Sequence, residues 1–218
     1  MKTFLSEFKT ALLLTVVLIV FLCGVYPLVV WAGGQALFSA KANGSLLVDK
    51  DGTVRGSTLL AQNFSSAKYF HPRPSAAGSG YDATSSSGTN LGPTSSKLAI
   101  GTHAEDANGK DVNDPNNFDG IKDLVAAYRN ENEMKDSESV PADAVTRSAS
   151  GLDPHISIAN ATIQATRVAK SRHLSTEKVS SLVGEFTDGS NSALFGEPGV
   201  NVLRLNQALD QLGSAREK

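Results

Sequence analysis

Hydrophobic and polar positions change their rhythm along the chain. From Thr10 to Ala40 no residue is charged, and Ala11 to Val30 is apolar apart from Thr15 and Pro27. At about 1.5 Å of rise per residue, some twenty helical residues match the roughly 30 Å hydrocarbon core of a bilayer. Tyr26 and Trp31 fall where an interfacial aromatic belt would sit. Lys2, Lys9 and the terminal amine precede this run against Glu7 alone, so the positive-inside bias keeps the amino terminus cytoplasmic. Residues 1–10 read as a cytoplasmic terminus, 11–31 as a transmembrane anchor, and 32–218 as one extracytoplasmic, periplasmic-side domain. A cleaved secretory signal is the competing reading; the apolar run is too long for one and no small-x-small site closes it, which favours an uncleaved anchor.

Beyond the anchor the runs are shorter. Asn43 to Phe64 predicts a hairpin, with a strand over Ser45 to Val48, a turn at Asp51 and Gly52, and a return over Thr53 to Leu60. Phe118, Ile121, Leu124, Val125 and Tyr128 share one helical face, with Asn117 or Asp119 as caps. Ser157 caps a second helix in which Ile158, Ala161, Ala165, Val168 and Ala169 form the buried face, leaving Gln164, Arg167, Lys170 and Arg172 for polar contacts. Ser175 or Thr176 caps a third, carried by Val179, Leu182, Val183 and Phe186. Gly199 to Leu203 alternates like a short strand, and Leu205, Leu209 and Leu212 continue as a last helix. A hairpin followed by helices gives an α+β domain.

Between these lie segments without periodicity. Tyr69 to Leu98 is dense in Gly, Ser and Pro, a linker's composition, yet Tyr69, Phe70 and Tyr81 flank Arg73, and apolar anchors beside a guanidinium predict an ordered loop. Ser148 to Ile156 is a shaped loop: Gly151 admits positive φ, and Pro154 pushes Asp153 towards extended backbone. Gly101 to Asn117, rich in Asn and Asp, reads as a polar insertion.

Net charge is −2 with no long basic patch, which excludes a nucleic-acid binder. The single cysteine, Cys23, lies inside the apolar run and reads as a packing residue. No reaction is legible. Asp153, His155 and Ser157 are the residue types of a hydrolytic triad, but alternating positions in one loop do not line up nucleophile, base and orienting acid. Gly109 and Lys110 lack the Ser or Thr of a phosphate loop, Gly78 and Gly80 lack the rest of a dinucleotide fingerprint, and Asp49 and Asp51 lack the later ligands of a calcium loop. No His-Glu-x-x-His or paired-cysteine spacing supports zinc. No catalytic residue and no metal ligand is assigned.

Several stretches in order carry a resemblance: Tyr26-Pro27, Asn43-Gly44-Ser45-Leu46, Tyr69-Phe70-His71-Pro72-Arg73-Pro74-Ser75, Ser87-Gly88-Thr89-Asn90-Leu91-Gly92-Pro93, and Val145-Thr146. They continue with Ser150-Gly151-Leu152-Asp153-Pro154-His155-Ile156-Ser157, Gln164, Arg167-Val168-Ala169, Gly196-Glu197-Pro198 and Val200-Asn201-Val202-Leu203. Over nearly its whole length the chain resembles the C subunits of the Kdp-type potassium-transporting P-type ATPases of bacteria, departing at Thr89, where the family has Ser, and in the polar length of 101–117. The resemblance implies a single-pass protein of the cytoplasmic (inner) membrane in a complex with a potassium-translocating A subunit, an ATP-hydrolysing B subunit and a small F subunit. ATP and K⁺ then belong to the complex, and this subunit is not an enzyme on its own. It implies an accessory role in assembly and stability; the alternative is a catalytic chaperone that binds ATP and raises the B subunit's ATP affinity, which an outward-facing domain disfavours because ATP is cytoplasmic. Tyr69, Phe70, Arg73, Ser75, Asn90, Ser150, Gly151, Asp153, His155, Gln164 and Arg167 are the candidates for partner-contacting or architectural roles.

Overall fold

A computed structural model describes residues 2–49, 51–105, 112, 114, 116–189 and 196–214. The chain folds as two units, Met1–Ser57 and Thr58–Lys218.

The first unit is dominated by one long helix, kinked near its end at Phe38, whose φ of −140° and ψ of 39° are not helical. It comprises α1 (Lys2–Ile19), a π-helical segment (Val20–Val25) and α2 (Tyr26–Ala42). Its Thr3–Ala42 stretch is long and apolar enough to cross a membrane, with a mean hydropathy of 2.8 in its most apolar window. The helix runs past both ends of the 11–31 span read from hydropathy. The π-turn has a local cause: Pro27 has no N–H for the Cys23 carbonyl and its ring crowds that carbonyl. The preceding turn widens, and the Tyr26 N–H bonds to Phe21 O instead. Inside the apolar run Thr15 Oγ1 donates to Ala11 O at 2.8 Å, which hides its hydroxyl from lipid. A two-stranded antiparallel hairpin follows, β1 (Leu46–Val48) and β2 (Val54–Ser57), and Asp51 accepts from Thr53 N in its turn. Asp49 pairs with Arg55 at 2.7 Å. The return strand stops at Ser57, short of Leu60.

The second unit contains α3 (Ser96–Ile100), α4 (Ile121–Glu131), α5 (Ala142–Val145), β3 (His155–Ser157), α6 (Ile158–Arg172), α7 (Thr176–Glu185), β4 (Thr187–Asp188), β5 (Gly199–Asn201) and α8 (Val202–Ser214). Strand order is β3-β5-β4, all antiparallel. Apolar residues of α6, α7 and α8 meet Ile156 and Val200 of the sheet in one core, completed by Phe70 from the long loop. Ala161, Ala165, Val168 and Ala169 supply the α6 face as expected; Ile158 does not, being exposed. Gln164 and Arg167, expected on an open polar face, are instead buried.

Three further expectations are corrected. Phe118 precedes α4 and bridges to Thr102 rather than joining the helix. The N-cap of α4 is Gly120, whose N–H donates to Asp123 Oδ2 at 2.8 Å, whereas Asn117 accepts from Ala104 N and so ties the polar excursion to itself. The strand expected over Gly199 to Leu203 ends at Asn201, because the Asn201 side chain accepts from Arg204 N and starts α8. Strands β3 and β4 were not foreseen. Gly109 and Lys110 lie outside the described residues.

Candidate functional site

Motif stretches of the second unit meet where the loop around residues 66–91 crosses α6. A loop without strands must satisfy its buried backbone groups with side chains. Asn206 of α8 does so at Phe70: its Oδ1 accepts from Phe70 N and its Nδ2 donates to Phe70 O, both at 2.9 Å. Gln164 does the same one residue on, accepting from His71 N at 2.7 Å and donating to His71 O at 3.1 Å. Its amide also donates to Asn160 Oδ1 at 2.8 Å and accepts from Arg167 Nη2 at 2.8 Å, so all its capacity is used. Phe70 is thereby held with its ring fully buried.

Arg167 completes the seam. Its Nη1 donates to Ala67 O and Tyr69 O at 2.8 and 3.1 Å, and its Nε to Asn132 Oδ1 at 3.1 Å. Glu131 stands 3.7 Å from the same guanidinium and 3.1 Å from His71 Nδ1. The His71 hydrogen bond, with help from Arg167, holds the Glu131 carboxyl below the ordinary carboxylate range against the opposing effect of burial. Tyr128 donates to Asn160 Oδ1, and burial pushes its phenol up. A cleft of about 330 Å³ opens here, lined by His71, Pro72, Tyr128, Glu131 and Gln164 among others.

A second seam joins the loop to residues 146–155. Arg73 donates to Asp153 Oδ2 at 3.0 Å and Thr146 O at 3.4 Å. Ser75 Oγ donates to Gly151 O at 2.6 Å and accepts from the N–H groups of Ala77 and Tyr81. The Tyr81 phenol, pushed up to about 12 by burial, donates to Arg73 O. Gly151 has φ 68°, and a Cβ there would stand 2.7 Å from Ala77 N and Ser87 O, so no larger residue fits. Ser150 O accepts from Ser87 N and Ser86 Oγ. Asn90 lies exposed with φ 53°, a conformation Asn tolerates better than most. Tyr69 donates to Asp210 beneath the Arg172 guanidinium. A cleft of about 700 Å³ lies along this seam, lined by Leu59, Leu60, Arg73, Ser148, Ser150 and Asp153 among others.

Asp153, His155 and Ser157 do not form a triad. His155 Nε2 turns to Asp188 at 3.0 Å, with Asp153 Oδ1 3.9 Å from Nδ1. Ser157 donates to Asp143 Oδ1 at 2.8 Å and caps α6 by accepting from Asn160 N. His155 reaches across the sheet because Gly199 of the central strand is bare: a Cβ there would stand 3.1 Å from His155 Cβ. Asp188 also pairs with Arg204, so the imidazole lies within a row of structural charges.

Tyr128 was read from sequence as a helix-face residue without its hydrogen bond, and Asn160, Asn206, Asp143 and Asp188 were not singled out. Asn206 had a signal, a polar residue inside the apolar stripe of Leu205 and Leu209; the others had none.

Comparison with known proteins adds the context. Residues 8–211 match the family described as KdpC, the c chain of K⁺-transporting ATPase. The chain is 48% identical over 188 residues to the "Potassium-transporting ATPase KdpC subunit" of Mycobacterium bovis, covering 86% of this chain and 89% of that protein. It is 46% identical over 213 residues to the subunit of the same name from Nitratidesulfovibrio vulgaris, covering 97% and 98%. The Rhodospirillum rubrum subunit is 44% identical over 207 residues, 95% and 96% of the two chains.

Proposed function

The chain belongs to the KdpC family, the c chain of K⁺-transporting ATPases, and from that membership we propose that it is a non-catalytic accessory subunit needed for assembly and stability of the transporter. Its N-terminal helix anchors it in the cytoplasmic membrane with the amino terminus inside, and the folded unit lies outside. Its partners are a potassium-translocating A subunit, an ATP-hydrolysing B subunit and a small F subunit.

One observation carries the reading. The polar side chains of the family-like motifs act on the chain's own backbone: Gln164, Arg167, Arg73 and Ser75 all bond to it, and they turn a Gly-, Ser- and Pro-rich loop into a fixed surface. A body shaped in this way suits docking, and its polar groups are engaged in holding shape.

Removal of Thr58–Lys218 with the helix and hairpin retained tests this. The expected outcome is loss of intact complex on size-exclusion chromatography, with the A and B subunits no longer co-purifying. Normal complex recovery and K⁺ uptake in that strain would refute the proposal. A phosphatase fused after Lys218 is expected to be active outside the membrane; activity of a cytoplasmic reporter there would revive the ATP-binding chaperone.

A further inference from the structure

The neck of the polar excursion gathers ligand groups that play no part in the motif seams. Among the described residues, His103, Asp119 and Asp123 place an imidazole nitrogen and two carboxylate oxygens within 4.8 Å of one another. The neck is fixed by backbone: Thr102 and Phe118 exchange N–H···O bonds of 2.8 Å in both directions. His103 and Asp119 adjoin this bridge, and Asp123 stands in the first turn of α4.

The spacing is informative. His103 Nε2 lies 3.1 Å from Asp123 Oδ2 and 3.9 Å from Asp119 Oδ1. Ligand atoms around a tetrahedral zinc, bound at about 2.0–2.1 Å, stand about 3.3 Å apart. These two separations bracket that value and all three ligand atoms lie within 4.8 Å of one another, so one ion fits when it replaces the proton of the His103–Asp123 hydrogen bond and the Asp119 carboxylate swings in. Calcium, which takes six to eight oxygens, is poorly served by this set, and the imidazole favours a transition-type cation.

The surroundings also fit. Asp123 Oδ2 accepts from Gly120 N at 2.8 Å, which orients that carboxylate as outer-shell bonds orient metal ligands. Arg147 donates to the Asp119 backbone carbonyl at 3.0 Å and lies over the Phe118 ring, so its guanidinium is directed at backbone and ring. The amino end of α4 opposes a cation with roughly half a charge, against a full charge on each carboxylate. Asp119 is 62% exposed at its side chain, which leaves an entry path and a coordination position open to water.

We propose that His103, Asp119 and Asp123 form a divalent-cation site of the zinc class that clips the neck of the 104–118 excursion to the start of α4. The site stands apart from the role in transport and does not depend on it.

Calorimetric titration of the tag-free full-length chain in detergent with Zn²⁺ alone, with Ca²⁺ in a parallel titration, is the test. One saturable Zn²⁺ site is expected, weakened about tenfold or more by Asp119→Asn and by His103→Gln. Asp119→Asn should keep the parent's thermal transition in EDTA, since Asp119 is largely exposed, and His103→Gln is titrated below its own measured transition; Asp123 is left intact because it also closes the start of α4. Absence of saturable Zn²⁺ binding, binding unchanged in both variants, or equal affinity for Ca²⁺ would each overturn the proposal.

Discussion

At the scale of the residue, the buried polar groups carry the domain. Arg167 bonds to Ala67 O, Tyr69 O, Asn132 and Gln164 at only 9% exposure, so its removal strands several acceptors at once. Arg167→Ala is expected to lower the unfolding free energy of the full chain by about 3 kcal/mol, read by denaturant titration in detergent. Arg167→Lys should recover little, because an ammonium cannot span the same acceptors. Less assembled complex should be recovered, with ATPase activity per complex unchanged. Glu131 gives a pH signature. Its folded pKa is depressed, chiefly by the His71 hydrogen bond. Its contribution is therefore complete above the range of an unfolded carboxyl, from about pH 5 upward, and fades as pH falls through the lower folded value. Glu131→Gln should be less stable than the parent near neutrality and converge with it in acid, followed as the urea midpoint against pH.

At the scale of the element, helix periodicity carried most of what could be read from sequence. The α6 and α7 faces and the Leu205 and Leu209 stripe of α8 repeat at three- and four-residue steps over enough turns to be recognised. The three-residue β3 and two-residue β4 are too short to show alternation, and pairing with β5 defines them. Gln164 and Arg167 looked open because periodicity places a side chain on a face without revealing what covers it; their covers, His71 and Tyr69, lie 93 and 98 positions away. Caps offer a test within one fold. Ser157 accepts from Asn160 N and also donates to Asp143, which accepts from Ser157 N and Asn160 Nδ2 as well, joining α5, β3 and α6. For Ser175 the bond at α7 is the cap alone, to Lys178 N. Ser175→Ala is expected to cost about 1 kcal/mol and Ser157→Ala about 2 kcal/mol, compared by thermal unfolding; equal losses would mean that the Asp143 junction adds nothing.

At the scale of the whole molecule, the division into Met1–Ser57 and Thr58–Lys218 separates a unit made of local contacts from one closed by distant ones. The first is complete once its own residues exist. The second is not: Phe70 is held by Asn206, 136 positions later, through a bond in each direction. Loops closed over such separations form late and slowly. At synthesis rates of about 5–20 residues per second, the time between emergence of Phe70 and of Asn206 is on the order of ten seconds. During that interval the long loop has its aromatic ring but not its clasp, while the anchor is already made. The schedule of synthesis thus sets an order of events: the long apolar helix is made well before the motif-bearing surface acquires a shape, and that surface must wait for the last helix.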